Sequence, residues 1–444
     1  MKNILIAIRS IFKKGRHNVM KIVSLGIGLA VGLVLIAKVY FEQSYDDFYP
    51  DRDRVYQVWA KYQQNGGELK DYPQTSGGIA PTMQQQIPEI ETVTRYTSFG
   101  DWTFTMTDTK MKYSGRCIIA DSCFFDILPR PMLIGNAKEV LSTPMYVLIS
   151  SRIAKNIGGD VIGKNFTVDN SPGRTMTIGG VFEEVPENSH SRYDVIVSMA
   201  SAGRFMWEGS PTNMLGNDRY ISYVKLHKGV NPLALEEQVR TFVNSYFPPE
   251  EQQKVGLSID FSFHKLDNLH KELPQVKRMT WILSLLAFAL IFTAVMNYIL
   301  IVISSIVNRS KEVAVHKCYG ASENNIHGMM FGEALVHIVL SLILALLLIL
   351  AFRGTVEELL ATSLDSLLLS NGSLVLLGIC ILVFFVSGFM PGSLYARIPV
   401  ASAFRNYREN KRIWKKALLL VQFVATGFLV TMLVFVARQY TFMV

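Results

Sequence analysis

Five stretches of this chain, residues 22–41, 281–306, 334–352, 374–390 and 417–436, are almost wholly apolar and approach the ~20 residues that a helix needs to cross a bilayer. Between the first and second the pattern changes to short β-rich or alternating runs at residues 55–61, 103–106, 174–181 and 220–226. Turn signals separate them: Asn65-Gly66-Gly67, Ser76-Gly77-Gly78 and Ser171-Pro172-Gly173. Two helices are predicted there, 79–87 with Pro81 in its first turn and 232–246 with an apolar stripe of Leu233, Leu235, Val239, Phe242 and Val243. Strands and helices intersperse without strict βαβ alternation, which predicts an α+β domain. The expected fold is therefore a multi-pass α-helical membrane protein of about five spans, with a large α+β extracytoplasmic domain between spans one and two.

Half of the residues are hydrophobic, which agrees with that class. The net charge of +8 would suit a nucleic-acid partner, but its placement excludes one. Segment 42–278 holds 25 Lys plus Arg against 29 Asp plus Glu, a net of −4, so the rest of the chain carries +12. That excess lies beside the spans. Lys2, Arg9, Lys13, Lys14, Arg16 and Lys21 precede or open the first, and Arg397, Arg405, Arg408, Lys411, Arg412, Lys415 and Lys416 follow the fourth against Glu409 alone. The loop between spans three and four carries Arg353 against Glu357, Glu358 and Asp365. Basic segments stay inside and meet anionic headgroups, so the N-terminus is expected in the cytoplasm, membrane lipids are expected partners, and nucleic acid is not. The first apolar run reads as an uncleaved anchor, because Ala37-Lys38-Val39 is no small-residue cleavage site. Residues 4–12, mixed apolar and basic, read as a helix lying on the inner membrane face.

Candidate chemistry is sparse. GGDVIGKN, residues 158–165, has the spacing of a phosphate loop but puts Asn165 where a Ser or Thr must reach Mg²⁺, so a glycine-rich turn before a strand is expected. Cys117 and Cys123 lie on the side where a disulfide is allowed; either a turn at residues 120–122 brings them together or they remain two buried thiols. His190 sits in a polar turn with no second ligand at metal spacing. Glu333 and His337, four apart at the entrance to span three, form either a proton site or a snorkelling pair, and their place near the cytoplasmic end favours the latter. No nucleophile with a base and an orienting partner is evident, so no enzyme, cofactor or metal is expected.

One segment is neither span nor domain. Residues 308–322, NRSKEVAVHKCYGAS, place a charged helix-forming stretch between two spans, a handle for something soluble to grip. Here RSKEVAVHKCYGAS resembles the R-x-K-E-[IV]-[GA]-[VI]-R-K-x-x-G-A-S segment of bacterial ABC-transporter permeases of the FtsX and MacB type. His316 stands where Arg is usual and Tyr319 where an aliphatic is common. The resemblance covers nearly the whole chain: residues 120–128, 141–168 and 178–199 are similar to the family's periplasmic core domain, and 390–405 to its exit from span four.

That resemblance implies a division into 1–45 (amphipathic segment and span one), 46–277 (MacB-like extracytoplasmic core), 278–400 (FtsX-like domain with the coupling segment 308–323) and 401–444 (basic segment and span five). In this family a separate cytoplasmic ATPase pushes the coupling segments and rigid spans carry the movement outward. The implied ATPase-coupling residues are Arg309, Lys311, Glu312, His316, Lys317, Gly320, Ala321 and Ser322, the last placed to cap the following helix. Segments 9–41 and 405–440 repeat one plan of basic stretch, span and polar exit, as in the first half and the opening span of a duplicated permease. The expected partners are a cytoplasmic ABC ATPase, a second permease half or a second copy, and a periplasmic adaptor or substrate; the expected location is the bacterial inner membrane. Two functions remain open: a permease subunit driving export or extrusion of a substrate, or an FtsX-like signalling permease that switches a periplasmic partner such as a cell-wall hydrolase. The large external block favours transport.

Overall fold

The computed structural model describes residues 17–169, 173–369, 372–396 and 413–443. The chain forms two compact units, Met1–Gln43 with Pro274–Val444, and Ser44–Leu273. Helix α1 (Asn18–Gln43) belongs to the first of these, and the second is built on a sheet.

Eleven strands make that sheet: β1 (Val55–Gln64), β2 (Lys70–Tyr72), β3 (Ile90–Met106), β4 (Lys112–Ala120), β5 (Met132–Ile134), β6 (Tyr146–Ser150), β7 (Asn165–Val168), β8 (Thr175–Phe182), β9 (Val195–Ser198), β10 (Ile221–Leu226) and β11 (Leu257–Lys265). Their order is β11-β1-β10-β3-β4-β9-β6-β8-β5, with β2 beside β1 and β7 beside β3 and β8. The β4–β9 and β6–β8 pairs are parallel and the others antiparallel. The end of β4 (residues 117–120), β6 and β9 read as apolar runs without alternation because both of their faces are buried. Ile118, Leu148 and Ile196 pack with Phe124, Phe182 and Tyr193 on one side, while Cys117, Ile119, Val147, Ile149, Val195 and Val197 pack with Trp102, Phe104 and Phe166 on the other. A third cluster joins α2 (Ile79–Gln86) and α3 (Glu236–Tyr246) to the sheet, with Met83, Val239, Phe242 and Val243 against Val58, Val224 and Phe261.

Several expectations shift in detail. The strand predicted at 103–106 is the end of the 17-residue β3, which alternates over residues 102–106 and is interrupted by a bulge between Ser98 and Gly100. The helix predicted from residue 232 opens as a 3-10 turn, Pro232–Leu235, before α3. Residues 158–165 turn from the helix Ser151–Ile157 into β7, and Asn165 accepts a hydrogen bond from Thr177 Oγ1 at 2.8 Å, so no helix follows to receive a phosphate. Cys117 and Cys123 are free thiols; Cys117 is held in β4, and Cys123 Sγ lies 3.1 Å from the Val93 carbonyl. Burial pushes both thiols up, away from the reactive thiolate form.

The helical unit contains α1, α4 (Pro274–Ser304), α5 (Ile306–Cys318), α6 (Glu323–Ala351), α7 (Arg353–Leu360), α8 (Leu364–Leu368), α9 (Ser373–Ala396) and α10 (Ile413–Met443). Among the described residues, four helices are long and apolar enough to span a membrane: α1, α4, α6 and α9. Helix α10 covers the predicted fifth span. The amphipathic segment 4–12 and the basic stretch 397–412 lie outside the described residues.

Leu25, Leu29 and Leu33 of α1 share one core with Tyr298 and Ile299 of α4, Ile338 and Ala345 of α6, and Val383 of α9. Small residues set the approach of α1. A Cβ on Gly28 would stand 2.2 Å from that of Ala294, and one on Gly32 would stand 2.4 Å from Ile291 Cγ1, so glycine is what admits α4. Gly26 faces Leu344 of α6 in the same way.

Candidate functional site

The segment between the second and third span-length helices is a helix and a turn. Helix α4 stops at Ser304, Ser305 breaks it, and α5 follows at once. The break is held from α9: Tyr395, fully buried, donates to the Val302 carbonyl at 3.1 Å and lies 3.2 Å from Ser305 Oγ, which itself donates to that carbonyl at 2.6 Å.

Helix α5 is amphipathic on a small scale. Ser310, Val313 and Ala314 are buried, the latter two in the bundle core, and Lys311, Val315, His316, Cys318 and Tyr319 are exposed. Arg309, Lys311, Glu312, His316 and Lys317 all fall within this one helix. His316 and Lys317 occupy its last turn, where the helix dipole favours a cation.

The chain reverses at Gly320, whose φ of 85° is a left-handed conformation that suits glycine. The amide of Gly320 donates to the Lys317 carbonyl at 3.0 Å and that of Ala321 to the His316 carbonyl at 3.0 Å, which satisfies the end of α5. Ser322 then caps α6, its Oγ accepting from Asn325 N at 3.3 Å, and Glu323 adds an acid to the first turn. The eight residues singled out in the sequence thus lie on one helix, turn and cap. The charge pattern did not single out Val315; it is 43% exposed, and Tyr319 beside the turn is 89% exposed, so an apolar edge accompanies the charges. The spacing of 311, 315 and 319 was the available signal.

The other expectations fare differently. Glu333 and His337 do not snorkel; they are 7% and 1% exposed. Partners on other helices hold them inside, with Lys21 Nζ of α1 3.7 Å from Glu333 Oε1 and Tyr298 OH of α4 3.2 Å from His337 Nδ1. His190 is likewise part of a polar core, its Nδ1 2.7 Å from Asp46 Oδ2 and its Nε2 2.5 Å from Tyr223 OH. Among the described residues no group of His, Cys, Asp or Glu is arranged to hold a metal.

Residues 284–400, which contain this helix, turn and cap, match the family of FtsX-like permease C-terminal domains. Among solved structures, a domain of a Porphyromonas gingivalis protein described as a permease is similar at 33% identity and a TM-score of 0.45, over 49% of this chain and 91% of that one. The extracellular domain of the noncanonic ABC-type transporter YknZ from Gram-positive bacteria is similar at 11% identity and a TM-score of 0.33, over 46% of this chain and 98% of that one. No curated protein matches. With four span-length apolar helices among the described residues, the protein is thus a membrane protein that is similar, over residues 284–400, to FtsX-like permease C-terminal domains.

Proposed function

We propose that this chain is the permease subunit of an ABC transporter, and that a separate cytoplasmic ATPase grips the α5–α6 tip to drive export or extrusion of a substrate. The observation that carries the reading is the tip itself: an exposed, charged helix closed by a capped turn between two span-length helices, within the FtsX-like match. Lys311, Glu312, His316 and Lys317 supply charges that set register across an interface, and Val315 and Tyr319 supply apolar contact. In this reading the N-terminus and the tip lie in the cytoplasm and Ser44–Leu273 outside the inner membrane, a topology that the basic segments beside the spans support. A second permease unit, either another copy or a complementary half, completes the assembly.

Replacing Lys311 and Glu312 together by Ala tests this. Each exposed pair is worth about 0–1 kcal/mol, so the protein should insert and fold normally. It should nevertheless lose its effect on ATP hydrolysis by the ATPase that co-purifies with the unmodified chain. Unchanged coupled hydrolysis would reduce the segment to a loop.

A further inference from the structure

We infer that Lys21 and Glu333 are positioning residues that fix the register of α1 on α6, so that the two helices move as one body. This role rests on the coupling reading above, because α6 begins at the proposed tip and α1 runs on in sequence into the sheet unit at Ser44.

Three successive turns of α6 present polar groups to their neighbours within the helical bundle. Glu333 meets Lys21, which is fully buried and also donates to Asn18 Oδ1 at 3.3 Å. His337 meets Tyr298, and Ser341 Oγ donates to the Ile22 carbonyl of α1 at 3.1 Å. Two desolvated charges are a poor source of stability, since an apolar pair of similar volume commonly serves as well or better. The best-attested use of such a pair is to choose one register.

A slide of α1 along α6 would also carry it past α4, and there Gly28 and Gly32 are one helical turn apart, so a slide of one turn puts one glycine where the other was. Apolar surfaces on either side resist such a slide weakly, and one-turn ratchets between packed helices are a known class of movement. The pair at Lys21 and Glu333 opposes it, because a slide of about 5.4 Å would strand both charges. Glu333 lies ten residues from the start of α6, about 15 Å along the helix from the tip, so displacement of the tip reaches α1 before it can dissipate along the span.

Cysteine cross-linking in the full chain, freed of its own cysteines and reconstituted in phosphatidylethanolamine–phosphatidylglycerol vesicles, reads this register without any ATPase. Gly26→Cys with Leu344→Cys reports the observed register, since a Cβ on Gly26 stands 3.3 Å from that of Leu344. Gly26→Cys with Leu348→Cys reports a slide of one turn. The parent should cross-link through the first pair alone. The neutral double variant K21M/E333M should shift cross-linking to include the second pair while its unfolding temperature stays at or above the parent's, and the reversed pair K21E/E333K should restore the parent pattern. If K21M/E333M keeps the parent pattern, or K21E/E333K cross-links like the neutral variant, the ion pair does not set the register. Failure of the coupling reading would appear elsewhere, as unchanged coupled hydrolysis in the Lys311 and Glu312 variant.

Discussion

At the scale of single residues, Tyr319 has the properties of an interface anchor. It is a large amphipathic side chain, almost fully exposed, on the rigid end of a capped turn. If the ATPase buries it, Tyr319→Ala should cost about 2 kcal/mol or more of association, roughly 30-fold in affinity, with no loss of folding. Titration of the solubilised permease with its ATPase would measure this. In the sheet unit Arg54 pairs with Glu91 at 2.7 Å and with Asp51 at 3.0 Å, and Lys225 also reaches Asp51. The Lys225 ammonium, with Arg54, holds the Asp51 carboxyl below its ordinary range, and Arg54 does the same for Glu91. A carboxyl depressed on folding adds stability above its unfolded pKa and loses it as pH falls through the folded one. Protection of β1 and β10 from hydrogen exchange should therefore decline as pH drops below the ordinary carboxylate range, and Asp51→Asn should reduce that decline at a cost below about 1 kcal/mol near neutrality. A variant with the parent's acid profile would show that the network is inert.

Among the elements, α1 is the one most constrained by its neighbours. Gly28→Leu would force a side chain into the space that Ala294 fills and should destabilise the helical unit by about 1–3 kcal/mol, read as a lower unfolding temperature in detergent. The same change at Gly354, where a Cβ meets nothing, should be near neutral. Much of this architecture was legible in the sequence, since the long apolar runs, the Gly320 turn and the Ser322 cap are local patterns with local causes. What escaped depends on contacts distant along the chain. Strands β4 and β9 pair in parallel, and their apolar runs have no alternation because both faces are covered. Glu333 looked like a residue near a membrane surface, since its partner Lys21 stands at the other end of the sequence and reads there as part of a basic flank. His190 reads as a turn residue until the fold brings Asp46 and Tyr223 to its two nitrogens. At the α5–α6 tip the charges were visible in the sequence. The exposed Val315 was legible only through its spacing from Lys311 and Tyr319, and the burial of Val313 and Ala314 shows that this face of α5 points away from the core.

For the whole molecule, the central claim is that one exposed tip in the cytoplasm takes force from an ATPase while the sheet unit works on the other side of the membrane. Cys318 reports sidedness, since it is exposed on α5. A membrane-impermeant thiol reagent should miss it in sealed spheroplasts and label it once the membrane is opened; labelling in sealed spheroplasts would reverse the topology. The most direct measurement places a photoreactive amino acid at position 319 in the full chain, irradiates the living native host, and identifies the adduct by mass spectrometry. The account predicts a single dominant cross-link to the nucleotide-binding subunit of an ABC ATPase, diminished when Lys311 and Glu312 are replaced by Ala. A cross-link to a periplasmic protein, or adducts with lipid alone, would contradict it.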